Sequence, residues 1–266
     1  MADRAEGRPA EAGKSSRKKL MKTGSSDTVI ILPAFDEEES IGPLLREIHE
    51  YVPQLPVVVV NDGSADMTAE AAIRNGAEVL DLPCNLGVGS AVQAGFRYAY
   101  EQGYKYAVRC DGDGQHPPVE IPRLLEGMRE HQVDLIIGSR FLGERTYAGT
   151  LVRYCGINAL ALILSIMCKK RVTDPTSGFQ VLNHPLLHFF SRSYPIDYPE
   201  PEALALMRRQ GYDFHEVPVA FRKRGAGRSS IRGWGTLYYI LKVFLALLVD
   251  RARPVDPRYA RSRLVE

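Results

Sequence analysis

Hydrophobic and polar residues fall in alternating blocks along this chain. Thr28-Val-Ile-Ile-Leu32 is a short apolar run rich in β-branched residues, the pattern of a strand buried on both faces. Pro33 ends it. Asp36 is then placed to cap a helix whose first turn carries Glu37, Glu38 and Glu39, acids that suit the positive end of a helix dipole. A second apolar run, Val57–Asn61, leads into Asp62-Gly-Ser-Ala-Asp66 and an Ala-rich helix. The rhythm continues with strands over Ala77–Leu82, Tyr104–Cys110 and Val133–Gly138, and with helices over Gly87–Gln102 and Pro117–His131. Strands alternating with helices of this length predict an α/β fold, with a mostly parallel central sheet and helices on both faces.

Beyond Gly138 the regularity breaks down. Leu151–Cys168 reads as an apolar helix, Thr173–Gly178 as a loop, Glu200–Gln210 as a helix and Tyr212–Phe221 as an edge-like strand carrying Pro218. Trp234–Val249 is interrupted only by Gly235, Thr236 and Lys242. A helix apolar on nearly every side is buried in protein or lies against lipid. No stretch reaches the roughly 20 uninterrupted apolar residues of a bilayer crossing. The expected organisation is a disordered tail over 1–26 without a secretory signal, a catalytic domain over 27–230, an apolar and basic helix over 231–253, and a second tail over 254–266.

Composition narrows the class. With 266 residues and 34 Lys+Arg against 32 Asp+Glu, the formal charge is +2, too balanced for a disordered or supercharged chain. Cys84, Cys110, Cys155 and Cys168 form no C-x-x-C, so neither a disulfide framework nor a zinc site is expected, and a reduced cytosolic chain is. The balance also gives no pull toward nucleic acid. Yet it hides a segregation: between Arg222 and Arg263 stand eleven Lys/Arg and two acids, a net +9 that leaves −7 for the remainder. Together with Trp234, Tyr238 and Tyr239, this basic end suits an anionic membrane interface. The alternative is a helix packed on the core.

In open parallel sheets, ligands bind at the carboxyl ends of the strands. Here those ends are Pro33–Glu37, Asn61–Ser64, Pro83–Gly87 and Asp111-Gly-Asp-Gly-Gln115. The last offers an all-oxygen set, Asp111, Asp113 and Gln115, which suits Mg²⁺ or Mn²⁺ with phosphate co-ligands; acid pairs in solvated turns are also common. His116 beside it reads as a supporting residue rather than a ligand. No G-x-G-x-x-G follows the first strand and no G-x-x-x-x-G-K-[ST] occurs, which excludes a dinucleotide fold and a P-loop. A haloacid-dehalogenase-like phosphotransferase carries its D-x-D on the first strand, not the fourth.

The series Leu32-Pro-Ala-Phe-Asp-Glu37, Val60-Asn-Asp-Gly-Ser64 with Asp66, Asn85-Leu-Gly-Val-Gly-Ser-Ala91 with Gly95, Asp111-Gly-Asp-Gly-Gln-His-Pro117, Gly138-Ser-Arg140 and Thr176-Ser-Gly-Phe179 resembles family 2 glycosyltransferases. Within them it is most similar to the dolichol-phosphate mannosyltransferase and polyprenyl-phosphate sugar transferase branch, over roughly residues 28–230. The resemblance implies a GT-A fold, a UDP- or GDP-sugar donor, a divalent Mg²⁺ or Mn²⁺ and inversion at the anomeric carbon. It places Pro33, Phe35, Glu37, Asp62, Asn85, Gly87 and Asp111 on the nucleotide, Asp62 as acceptor for a base N–H, and Asp111, Asp113 and Gln115 on the metal. Arg140 and Arg153 resemble arginines that meet the acceptor phosphate, and Arg224-x-x-Gly227-x-Ser229 resembles a loop that closes over the diphosphate. Ser230, Asn61 and Val88 depart from the family's commoner Lys, Asp and Lys.

A lipid phosphate is already anionic and needs no general base, whereas a sugar hydroxyl needs a carboxylate, for which Asp174 and Glu202 are the candidates. The expected protein is therefore a cytoplasmic inverting hexosyltransferase, peripheral on a membrane, acting on a polyprenyl phosphate. A membrane-protein partner or a second copy of the chain is compatible with this. The alternatives are transfer to a glycan or protein hydroxyl, and a non-catalytic nucleotide-sugar-binding subunit.

Overall fold

The computed structural model describes residues 26–142, 151–222, 242–247 and 257–258, the side chains of 151–153 excepted. The first strand β1 (Thr28–Ala34) is followed by α1 (Glu38–Tyr51), β2 (Val57–Asn61), α2 (Thr68–Arg74), β3 (Glu78–Asp81), α3 (Val88–Glu101) and β4 (Tyr106–Arg109). A short 3₁₀ turn, Pro118–Glu120, then leads into α4 (Ile121–His131), β5 (Leu135–Ser139), α5 (Leu151–Cys168), β6 (Gln180–Asn183), α6 (His184–Phe190), α7 (Pro199–Arg209) and β7 (Phe214–Pro218).

The seven strands form one sheet in the order β3-β2-β1-β4-β6-β5-β7. β1 pairs in parallel with β2 and β4, β2 with β3, and β5 with β7, while β6 runs antiparallel to both β4 and β5. The sheet is thus mostly parallel, as the block pattern implies. β6 and α6 have no counterpart in the sequence reading. The expected edge strand is shorter, Phe214–Pro218, and does lie at the sheet edge, with Pro218 as its last residue opposite Ser139.

Alternating side chains of the buried strands feed two cores. Val29 and Ile31 of β1 with Val58 and Val60 of β2 join α3, α5, α6 and α7 on one face. Ile30 and Leu32 with Val57 and Val59 meet α1, α2 and α4 on the other. This two-sided burial is why the strands read as continuous apolar runs. Residues 242–247 are helical, and Val243 and Leu247 are buried in the core that holds Leu160 and Leu164 of α5. Over these six residues the apolar C-terminal segment packs on the core with one side, while Phe244 and Leu245 stay exposed. The rest of the expected interface helix and both tails lie outside the described residues, apart from Ser26 and residues 257–258.

Asp36 does not cap α1. Glu37 holds the N-cap position, without a side-chain bond to the helix backbone. Asp36 adopts a left-handed φ of 51° and binds across to the next strand end, its Oδ1 accepting from the Ala65 N–H at 3.0 Å.

Candidate active site

The carboxyl ends of β1, β2 and β4 converge on one cleft of about 440 Å³, whose wall includes Pro33, Phe35, Glu37, Asp62, Asn85, Gly87, Asp111 and Asp113. All seven residues that the motif resemblance assigns to the nucleotide therefore face a single space. Its walls are tied together by the polar strand ends. The Glu37 N–H donates to Thr68 Oγ1 at 2.9 Å and the Glu38 N–H to Asp66 Oδ2 at 3.1 Å, which binds the β1 turn to the β2 turn. Phe35 is 44% exposed, an aromatic ring left at the rim.

Asp62 is nearly buried, and its two oxygens accept from the N–H groups of Leu86 (2.8 Å) and Gly87 (2.9 Å). Its observed work is to hold the Asn85–Gly87 wall of the cleft. Gly63 makes that approach possible: it sits at φ +66°, and a Cβ there would lie 2.5 Å from the Cys84 carbonyl carbon.

The Asp111–Gln115 turn forms the floor. Asp113 accepts from the Gln115 backbone N–H through Oδ1 (3.0 Å) and from Gln115 Nε2 through Oδ2 (2.8 Å). Gln115 thus orients Asp113, and Asp111 and Asp113 are the two of the expected metal set that line the cleft. Among the described residues no group of three or more His, Cys, Asp or Glu side chains is arranged to hold a metal ion by itself. The donor set still fits a hard divalent cation, since two carboxylates completed by diphosphate oxygens are a usual Mg²⁺ arrangement.

Close packing around Asp111 opposes its ionisation, but His116, Arg109 and Arg140 nearby hold its carboxyl below the ordinary carboxylate range. Burial depresses the His116 imidazole to about 4. It is neutral at physiological pH, accepts the Asp111 N–H at Nδ1 (3.0 Å), and stacks on Phe179 at 4.9 Å. This is the supporting role read for it from the sequence.

Arg140, at the end of β5, donates to Asp174 from Nε and Nη2, both at 2.7 Å, and its Nη2 also reaches Thr176 at 2.8 Å. The pair is almost sealed, with side chains 10% and 0% exposed. Asp174, a candidate proton acceptor on sequence grounds, has both oxygens bound by the Arg140 guanidinium and a fully buried side chain. Glu216 backs the same loop by accepting the N–H groups of Thr173 and Asp174 at 2.8 Å each, and burial pushes its carboxyl up. Glu202 is half-buried in the first turn of α7. Arg224 and Ser229 lie outside the described residues, as does the side chain of Arg153.

Three residues that motif reasoning passes over join this floor. Arg109 is the last residue of β4 and 1% exposed. Its Nη1 donates to Tyr194 Oη at 3.1 Å and its Nη2 to Glu200 Oε1 at 2.6 Å, and the latter nitrogen lies 3.5 Å from Asp111 Oδ1. A charge inside an apolar strand, two residues ahead of the D-x-D, was the available signal.

Comparisons with known proteins agree with this geometry. Residues 29–155 match the model of the glycosyl transferase family 2 domain. The chain is 33% identical over 220 residues to an undecaprenyl-phosphate mannosyltransferase of Micrococcus luteus, covering 76% of this chain and 86% of that one. It is 28% identical over 241 residues to a polyprenol monophosphomannose synthase of Mycolicibacterium smegmatis, covering 86% and 91%. Among solved structures, glucosyl-3-phosphoglycerate synthase of Mycobacterium tuberculosis, in complex with Mn²⁺, UDP and glucosyl-3-phosphoglycerate, superposes with a TM-score of 0.65 at 23% identity, over 88% of this chain and 82% of that one. That likeness establishes the shared fold.

Proposed function

Because this chain belongs to glycosyl transferase family 2, we propose that it transfers one sugar from a nucleoside-diphosphate sugar to a polyprenyl phosphate, with inversion, at the cleft above β1, β2 and β4. The observation that carries this reading is the gathering of Pro33, Phe35, Glu37, Asp62, Asn85, Gly87, Asp111 and Asp113 around one space. The relatives named for undecaprenyl-phosphate and polyprenol mannosyl transfer supply the acceptor class.

In this reading the β1 turn and the Asn85–Gly87 wall hold the nucleoside, with the Phe35 ring against the base. Asp111 and Asp113 hold a divalent cation, Mg²⁺ or Mn²⁺, which neutralises charge on the departing diphosphate. Solved structures of the same fold bind Mn²⁺ or Mg²⁺ together with UDP. Arg140, fixed by Asp174 and Thr176, lies close enough to Asp111 to favour its charged form. The acceptor phosphate oxygen attacks without first losing a proton, so no base is required. A thermal-shift panel of UDP, GDP, CDP and dTDP, each with and without Mn²⁺, tests the site. One nucleotide is expected to stabilise the fold by several degrees only when Mn²⁺ is present. No stabilisation by any of them contradicts the reading.

The same reading sets the enzyme against an anionic membrane surface. No helix among the described residues is long and apolar enough to cross a bilayer. The outer side of α5, however, exposes Ala159, Leu162 (63%) and Ile166 (69%), and exposed Lys169 and Arg171 follow its C-terminus. Apolar side chains flanked by cations suit the lipid boundary. Removing the C-terminal segment would uncover the core around Val243 and Leu247, so exposed residues make the better test. Leu162→Glu with Ile166→Glu is expected to cut co-sedimentation with phosphatidylglycerol vesicles by about tenfold or more, from the lost burial of two large apolar side chains. Equal co-sedimentation of both chains contradicts it.

A further inference from the structure

Among the described residues Arg109 is the largest fully buried side chain, on the core side of β4 that also takes Ala107. Burying a guanidinium is unfavourable unless every donor is matched. Here the matching is incomplete: Arg109 Nε is the one buried side-chain nitrogen or oxygen among the described residues with no partner. A buried charge retained with an unsatisfied donor calls for an explanation beyond packing.

Its partners supply one. Tyr194 lies within the segment that joins α6 to α7 and Glu200 in the first turn of α7, and the same guanidinium binds both, at 3.1 and 2.6 Å. Between them, the backbone of Pro195 and Ile196 presses on the first turn of α3. A Cβ on Gly89 would lie 2.5 Å from either carbonyl oxygen. Gly89 follows Gly87 and Val88, which line the cleft. The nitrogen that binds Glu200, Nη2, also reaches Asp111 Oδ1 at 3.5 Å, and a Cβ on Gly178 would lie within 3.1 Å of both groups. One buried cation thus touches the cleft floor, a connecting segment that leans on the cleft wall, and the first turn of the helix that follows it.

We propose that Arg109 is a positioning residue for sugar transfer: it staples the 194–200 segment and the start of α7 to Asp111, so that the walls around the donor keep a fixed spacing from the metal-binding turn. This rests on the reading of the cleft as a metal–nucleotide site. Arg109 touches neither donor nor acceptor, and the staple works through Glu200 and Tyr194. Because the segment and the floor are held as one unit, breaking the staple lowers turnover more than it weakens donor binding.

The test compares Arg109→Gln, Glu200→Gln and the double variant. Each single change leaves one member of the Arg109–Glu200 pair without the other, whereas the double variant removes both charges and is expected to recover the melting temperature lost in Arg109→Gln. All three are expected to lower kcat by about 10- to 100-fold, to a common level, as outer partners of a metal site typically do. The donor KM is expected to stay within about threefold, since an interaction that acts on the reacting geometry appears in kcat. Tyr194→Phe, which removes one hydroxyl, gives a smaller loss of the same kind and carries the test together with Glu200→Gln if Arg109→Gln does not fold. Wild-type kcat in the double variant, or losses that simply add in it, would overturn the proposal. Failure of Mn²⁺ with UDP or GDP to stabilise the wild-type chain would instead remove the reading beneath it, and the proposal with it.

Discussion

Asp113→Asn is expected to lower kcat/KM by about three orders of magnitude and to leave the melting temperature within about 2 °C of wild type. The substitution keeps the shape of the side chain. An amide oxygen still accepts the Gln115 backbone N–H now bound at 3.0 Å, and the Gln115 amide can rotate to offer its oxygen to the new NH₂ group. What disappears is one negative charge on the cleft floor. A cation that stabilises a departing diphosphate contributes several kcal/mol, and each 1.36 kcal/mol is a factor of ten in rate. Asp111 alone, already drawn toward Arg109, offers a poor substitute. Unchanged turnover at saturating donor, measured across a Mn²⁺ titration, contradicts the assignment of Asp113.

Asp174→Ala is expected to be among the most destabilising single changes among the described residues, at about 3–5 kcal/mol, because it leaves the buried Arg140 guanidinium without its counter-charge. At about 2–4 °C per kcal/mol for a chain of this size, the melting temperature falls by roughly 10 °C. The loop suffers as well, since Asp174 also accepts the Arg140 backbone N–H at 3.0 Å. Glu47→Ala provides the contrast. Its pair with Arg222 is short, 2.6 Å, but both side chains reach solvent, and such pairs contribute about 0–1 kcal/mol. Urea unfolding of both variants measures the difference. Equal, small losses would mean that Arg140 does not depend on Asp174.

The two cores explain what the sequence disclosed and what it withheld. β1, β2 and β5 are buried on both faces, and their uninterrupted Val and Ile runs state this directly. α5 matches its expected span, Leu151–Cys168, because an 18-residue apolar stretch has few other ways to satisfy its backbone. β6 was illegible. Gln180-Val-Leu-Asn183 is four residues long, begins and ends on polar side chains and runs straight into α6, so only its neighbours β4 and β5 define it as a strand.

The site divides in the same way. The nucleotide-facing residues sit at strand ends, where chain order and topology bring them together, and their motifs could be read as a set. Arg109 meets Tyr194 and Glu200 across 85 and 91 residues of chain, a contact that no local pattern encodes. For Asp174 the sequence gives a charge but not the Arg140 guanidinium lying across both its oxygens.

The most direct measurement is the product itself. The wild-type chain, Mn²⁺ and undecaprenyl phosphate are incubated with labelled GDP-mannose and, separately, UDP-hexoses, and the organic phase is examined before and after mild acid. The expected result is a lipid-soluble label, formed from one donor class, that mild acid releases as free sugar, as a sugar–phosphate–lipid linkage requires. Label found only in acid-stable sugar–sugar linkages, or none in the lipid phase with any donor, would contradict transfer to a polyprenyl phosphate.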